Sequence, residues 1–305
     1  MRLNKPLGQV LVYGEVLFDK FPDRTSLGGA PFNYAFHLNH LGVPVRLISR
    51  VGGDQQGQDI MKRLQSIGFS IEGVQLDIIH PTGEVEVNLD DKGVPEFNIL
   101  PDRAYDYIEF DSYIEALARK EIALVYFGTL AQRHSTSAET LYKILKLLSS
   151  RSTFMMDINL RYPFYTPDVI EKSLQNCDIL KVNQDELSVI KESLSFSSPV
   201  SRLPWYLLDR YKIGFLCVTK GEEGTELYEA GSKVSFHCPG LPQEEVVDTV
   251  GAGDAFCAML TAGYLAGWPK QTLIEKATEF SHQICEFSGA LPENLEFYKP
   301  FRFNS

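Results

Sequence analysis

Asp248-Thr249-Val250-Gly251-Ala252-Gly253-Asp254-Ala255-Phe256 is the stretch whose reading decides the fold of this 305-residue chain. It reads as a turn feeding a helix. Behind Asp254 stand Ala255, Phe256, Ala258, Met259, Leu260 and Ala262, which are good helix formers or core fillers. Gly251 and Gly253 have no Cβ, so the backbone there can bring its N–H groups close to a ligand. The first N–H groups of a helix lack partners within it, and the macrodipole makes that end electropositive. Such a turn is a nest for a phosphate. Asp254 then places a carboxylate beside the anion. Proton abstraction from an attacking hydroxyl is the task that would justify it. A plain glycine-rich helix cap is the competing reading. A dinucleotide fingerprint fits less well, because it needs Gly or Ala where Phe256 stands.

Outward from this turn, the chain alternates apolar strand runs with helical spacing. Gln9 to Gly14, Val45 to Val51, Ile122 to Gly128, Thr153 to Asp157, Asp178 to Asn183 and Phe215 to Thr219 read as buried strands. Helices read over Tyr34–Leu41, Gly57–Ile67, Ser135–Leu148, from Gln184, and over Leu273–Phe287. This alternation predicts a doubly wound α/β fold with a mainly parallel sheet and helices on both faces. Thr82 to Asn98 differs. It alternates with period two around Asp90-Asp91-Lys92-Gly93, which is a hairpin. With Val16–Phe21 it can form a small separate sheet. The tail Pro300–Ser305 carries no signal.

Composition bounds the partners. The net charge of −11 argues against a nucleic-acid backbone or an anionic membrane, but not against a small phosphorylated ligand. No stretch is apolar enough to span a membrane and no signal region follows Met1, so a cytoplasmic protein is expected. Five scattered cysteines with no C-x-x-C pair read as buried free thiols.

A second constellation is Gly28-Gly29-Ala30-Pro31-Phe32-Asn33, followed by Leu41-Gly42 and Val51-Gly52-Gly53-Asp54-Gln55-Gln56-Gly57. Together with the 248–256 string, it resembles the paired N- and C-terminal signatures of the ribokinase-like (PfkB) carbohydrate kinases. The order and separation match, and the resemblance spans most of the chain. It implies a single kinase domain over 1–305, with a small β lid from about 15–27 and 81–104. It implies ATP as phosphoryl donor, Mg2+ with it, a sugar as acceptor, and Asp254 as general base beside the Gly251, Ala252 and Gly253 amides.

By the same resemblance, Asp19, Gly28, Gly29 and Asn33 would hold the sugar. Phe97 is a candidate to pack on it, with a lid-core role as the alternative. Asp157-Ile158-Asn159-Leu160-Arg161 is similar to a D-x-N-x-R of fructokinases, and Arg161 could steady a phosphate or a substrate oxygen. Asn183 and Glu186 stand at helix-capping spacing; the resemblance adds a role near magnesium and phosphate. Thr219, Lys220, Gly221 and Gly224 resemble the family's nucleotide-binding turn, with Ser288-Gly289-Ala290 closing that pocket. Asp248 matches a monovalent-cation position, K+, or simply caps its turn. Gly14-Glu15, Gly28–Pro31 and D-x-N-x-R lean toward fructose. Ribose, 2-keto-3-deoxygluconate and nucleosides stay open, as does a non-catalytic sensor on the same fold. An exposed edge of the lid sheet could pair with a second copy to give a homodimer.

Overall fold

Val10 and Val12 face one hydrophobic core while Leu11 and Tyr13 face another. A strand apolar on both faces belongs at the centre of a parallel sheet covered on both sides. The computed structural model describes residues 7–89, 95–241 and 246–303. Its strands in chain order are β1 (Gln9–Tyr13), β2 (Leu17–Lys20), β3 (Thr25–Gly28), β4 (Val45–Gly52), β5 (Val74–Asp77), β6 (Gly83–Leu89), β7 (Pro95–Ile99), β8 (Ile122–Phe127), β9 (Thr153–Asp157), β10 (Ile179–Asn183), β11 (Phe215–Thr219), β12 (Thr225–Glu229) and β13 (Ser235–Cys238). Its helices are α1 (Ala30–His40), α2 (Gln55–Ser66), α3 (Ser112–Leu117), α4 (Ser135–Leu148), α5 (Pro167–Leu174), α6 (Gln184–Ser193), α7 (Leu203–Tyr211), α8 (Ala252–Leu265) and α9 (Lys270–Ile284).

The large sheet runs β13-β12-β11-β10-β9-β8-β1-β4-β5. All neighbours from β11 to β5 are parallel; β12 and β13 turn back antiparallel. From β1 the chain steps outward to β4 and β5, then crosses to β8 and proceeds the other way. That reversal opens a crevice at the carboxyl ends of the strands, where open α/β sheets bind ligands. The helices α1, α2, α8 and α9 pack on one face, and α4 to α7 on the other.

The second sheet is β3-β2-β6-β7. It is mixed: β2 pairs β6 in parallel, while β2–β3 and β6–β7 are antiparallel. Asp54 joins it to the large sheet. This residue caps α2 by accepting from Gly57 N at 2.8 Å, and it also accepts from Thr82 N at 2.8 Å and Thr82 Oγ1 at 2.6 Å. Burial alone would raise its carboxyl, but the Thr82 and Gly57 bonds outweigh that and hold it below the usual range. Arg133 adds a second anchor, with a two-pronged pair to Asp106 at 2.7 Å on each oxygen.

Three sequence expectations need correction. Helices α2 and α9 begin earlier than their periodicity indicates, because Asp54 and Pro269 supply the starts. The tail is structural through Phe303, whose N–H donates to Leu41 O at 2.8 Å and whose ring lies 5.1 Å from Trp268. Gly42, at φ 93, allows this approach; a Cβ there would come 2.8 Å from Phe303 O. The expected 90–93 turn lies outside the described residues.

Candidate active site

The helix α8 starts at a residue that only glycine tolerates well. Gly251 caps it at φ 80, and a Cβ there would strike Ala290. Asp248 clasps both sides of this bend, accepting from Val250 N at 3.0 Å and from Gly289 N at 2.9 Å. Among the described residues, the Gly251 and Gly253 amides have no hydrogen-bond acceptor, whereas Ala252 N donates to Thr249 O at 3.3 Å. The Asp254 amide is free in the same way, while the Ala252 amide, expected beside those of Gly251 and Gly253 at the phosphate, is partly engaged. This helix end offers the Gly251, Gly253 and Asp254 amides and a positive dipole to an anion.

Asp254 sits in the first turn of α8 and is 8% exposed. Asn33, on α1, donates to its Oδ2 at 2.9 Å. Burial pushes the Asp254 carboxyl up to about 7; the Asn33 bond opposes this, Asp157 adds to it, and Lys181 and Arg161 oppose it. The Asn33 Oδ1 atom is buried with no partner, and Asn33 itself lines the cleft.

Around this centre lies a cleft of 510 Å³ lined by Glu15, Asp19, Gly29, Asn33, Asp157, Asn159, Arg161, Lys181, Asn183, Glu186, Gly251, Gly253 and Asp254. Each carboxylate arrives from the carboxyl end of a strand or the start of a helix. Asp19 stands in β2, and a Cβ at Gly28 would collide with its Oδ2. Gly29, at φ 102, would bring a Cβ 2.7 Å from Glu15 O. Burial raises Asp19 to about 6, with Arg161 opposing, and raises Glu15 to about 7. Leu17, Val85, Ile99 and Leu130 form an apolar wall beside these acids. Two other depressions, of 660 and 620 Å³, gather no comparable set of buried acids, and the second lies at the amino ends of β9, β10 and β11, opposite the crevice.

On the opposite side, Asn183 and Glu186 form a capping box. Glu186 N donates to Asn183 Oδ1 and Asn183 N to Glu186 Oε2, both at 2.8 Å. Leu160 N also donates to Glu186 Oε1 at 3.0 Å. Burial raises the Glu186 carboxyl, with Lys181 opposing. Thr219 lies beside Asn183 in the sheet register. Lys220, Gly221 and Gly224 follow on the β11–β12 turn, outside the cleft lining, and Lys220 is paired with Glu226 at 2.7 Å. Gly221 and Gly224 have φ of 56 and 91, values a turn demands of glycine. Phe97 stands in β7 opposite Val87; its side chain lies outside the described residues. Lys181, buried in β10, carries no motif and was missed in the sequence; a cation inside a buried strand was the available signal.

A switch-point crevice holding a helix-end anion nest, a buried acid beside it and further cleft-lining carboxylates is an arrangement suited to phosphoryl transfer to a hydroxyl compound. The pfkB family carbohydrate kinase model matches residues 11–295, and the chain belongs to that family. It is 28% identical to a fructokinase of Klebsiella pneumoniae over 93% of this chain and 92% of the relative. A solved fructokinase with bound ATP from Xylella fastidiosa superposes with a TM-score of 0.82 at 18% identity, covering 92% of this chain and 93% of that one. A fructokinase from Vibrio cholerae, solved with fructose, ADP and a calcium ion, gives 0.80 at 18% identity over 97% and 99%. Those two structures support the ribokinase-like fold.

Proposed function

We propose that the protein transfers the γ-phosphoryl group of ATP to a primary hydroxyl of a neutral sugar, with fructose the best candidate. The observation that carries this is Asp254, buried with a carboxyl at about 7 and fixed by Asn33, in the same first turn as the free Gly251 and Gly253 amides. A base poised near neutral pH takes the hydroxyl proton, and the amides hold charge building on the phosphoryl oxygens. Glu15, Asp19 and the unpartnered Asn33 Oδ1 supply hydroxyl partners, Gly28 and Gly29 make room for them, and Arg161 balances their charge. Phe97 is proposed as a lid aromatic near the sugar. The β2-β3-β6-β7 sheet acts as the lid of a single 1–305 domain.

The acids around the sugar position outnumber Arg161, and an apolar wall stands beside them. That balance disfavours an aldonate or a sugar phosphate relative to a neutral ketose. The fructokinases found among the relatives point the same way.

The nucleotide would lie toward Asn183, Glu186, Thr219, Lys220, Gly221 and Gly224. Among the described residues no cluster of three or more His, Cys, Asp or Glu could cage a metal. Mg2+ keeps most of its water and takes few protein ligands; Glu186 would hold it through water, and the ion would neutralise phosphate charge. Both Asp248 oxygens already accept amides, so the residue fits a clasp of the bend better than a primary K+ ligand. Among the described residues no helix is long and apolar enough to cross a membrane; a cytoplasmic location, and pairing of two copies through the small sheet's edge, are part of this proposal.

The test is sugar-dependent ADP release with MgATP and fructose, ribose, 2-keto-3-deoxygluconate or a nucleoside. Fructose should give the highest kcat/KM. Preference for the aldonate or the nucleoside would overturn the substrate assignment. No ADP release with any of these compounds would favour the sensor reading.

A further inference from the structure

Lys181 is the one buried cation that reaches the transfer bend among the described residues, and the reaction outlined above leaves it unused. It is 6% exposed, in the middle layer of the sheet. Its Nζ lies 3.2 and 3.3 Å from the two oxygens of Asp157, which is 1% exposed. Cys257 Sγ approaches Asp157 Oδ2 at 3.5 Å. The same ammonium would stand 3.0 Å from a Cβ on Gly253, so it lies directly under the bend, and both members of the pair line the cleft. A buried ion pair contributes little net stability compared with well-packed apolar residues, so stability alone is a weak reason for this one.

We propose that Lys181, locked by Asp157, is a positioning residue of the transfer site: it packs against Gly253 at the bend and sets the charge around Asp254. This rests on the kinase reading above. Asp254 is faced by Asn33 from α1, Tyr126 from β8, Asp157 from the end of β9, Arg161 from the loop after it, Lys181 from β10, and Cys257 on its own helix. Of these, Asp157 strengthens proton binding at Asp254, while Asn33, Lys181 and Arg161 weaken it. Lys181 itself is pulled down by burial but more than restored by Asp157 and Glu186, so it stays charged.

The two halves of the pair therefore act on Asp254 with opposite sign. Lys181→Met should move the acidic limb of the kcat/KM profile to higher pH and lower kcat by roughly tenfold to a thousandfold, the scale for losing one preorganised electrostatic group. The KM for sugar should change little. Asp157→Asn should move the same limb to lower pH. The experiment is pH-resolved steady-state kinetics with MgATP and the best acceptor of the sugar panel, on wild type and both variants, with thermal melts as the folding control. Opposite displacements of the limb support the proposal. Limbs that stay put or move together, in folded variants of an active wild type, overturn it. If Lys181→Met does not fold, the direction of the Asp157→Asn limb decides alone. A wild type without sugar-dependent ADP release would instead sink the kinase reading.

Discussion

Asp254 carries the sharpest consequence at the scale of one residue. Asp254→Asn should keep the fold and ATP binding and reduce turnover by roughly a hundredfold to ten-thousandfold, measured as kcat in an ADP-release assay. The wild-type rate should fall as pH drops through about 7, where the carboxyl takes its proton. The same shift has a stability sign. The folded-state value is raised from 3.8 to about 7, so the proton-bound form favours folding. That contribution is complete below pH 3.8 and is lost as pH rises through about 7. Asp254→Asn should therefore melt higher than wild type at pH 8, a gain in stability for a loss of function. Asp254 and Asn33 were legible because glycines and spacing mark them. Lys181 was not, since one lysine in a strand is only interpretable once Asp157 from the neighbouring strand stands beside it.

At the scale of elements, Asp54 shows how a cap becomes a hinge post. Its carboxylate closes the start of α2 and holds Thr82, the residue before β6, by backbone and side chain. Asp54→Ala should cost about 1–2 kcal/mol as a lost cap. It should also raise the KM for sugar, because β6 carries Val85 into the cleft; calorimetry and steady-state kinetics check the two parts. Strong periodicity made the parallel strands and the long helices readable. Short elements such as β5, α3 and α7 were not read, because four to nine residues hold too few periods to stand out. The joining of β2 and β6, 66 residues apart at Leu17 and Gly83, agrees with the small sheet expected of Val16–Phe21 and Thr82–Asn98; its parallel sense is a tertiary fact that local pattern does not encode.

At the scale of the molecule, the closing tail and the crevice depend on one another. Phe303 covers the end of α1, and His37 on that helix bonds Tyr298 at 2.7 Å. Helix α1 in turn presents Asn33 to Asp254. Phe303→Ala should cost about 3–5 kcal/mol for a buried aromatic, seen as a lower denaturant midpoint with an unchanged slope. The doubly wound order could be anticipated from strand–helix alternation; the tail's role could not, because its apolar residues lack a period. The central claim is that the migrating phosphate sits on the 251–254 bend while Asp254 meets the sugar. The most direct measurement is a crystal structure with a non-hydrolysable ATP analogue, Mg2+ and fructose. Terminal phosphate oxygens are expected about 3 Å from the Gly251 and Gly253 amides, with a primary hydroxyl on Asp254. A terminal phosphate bound away from that bend, or a sugar that leaves Asp254 untouched, would contradict it.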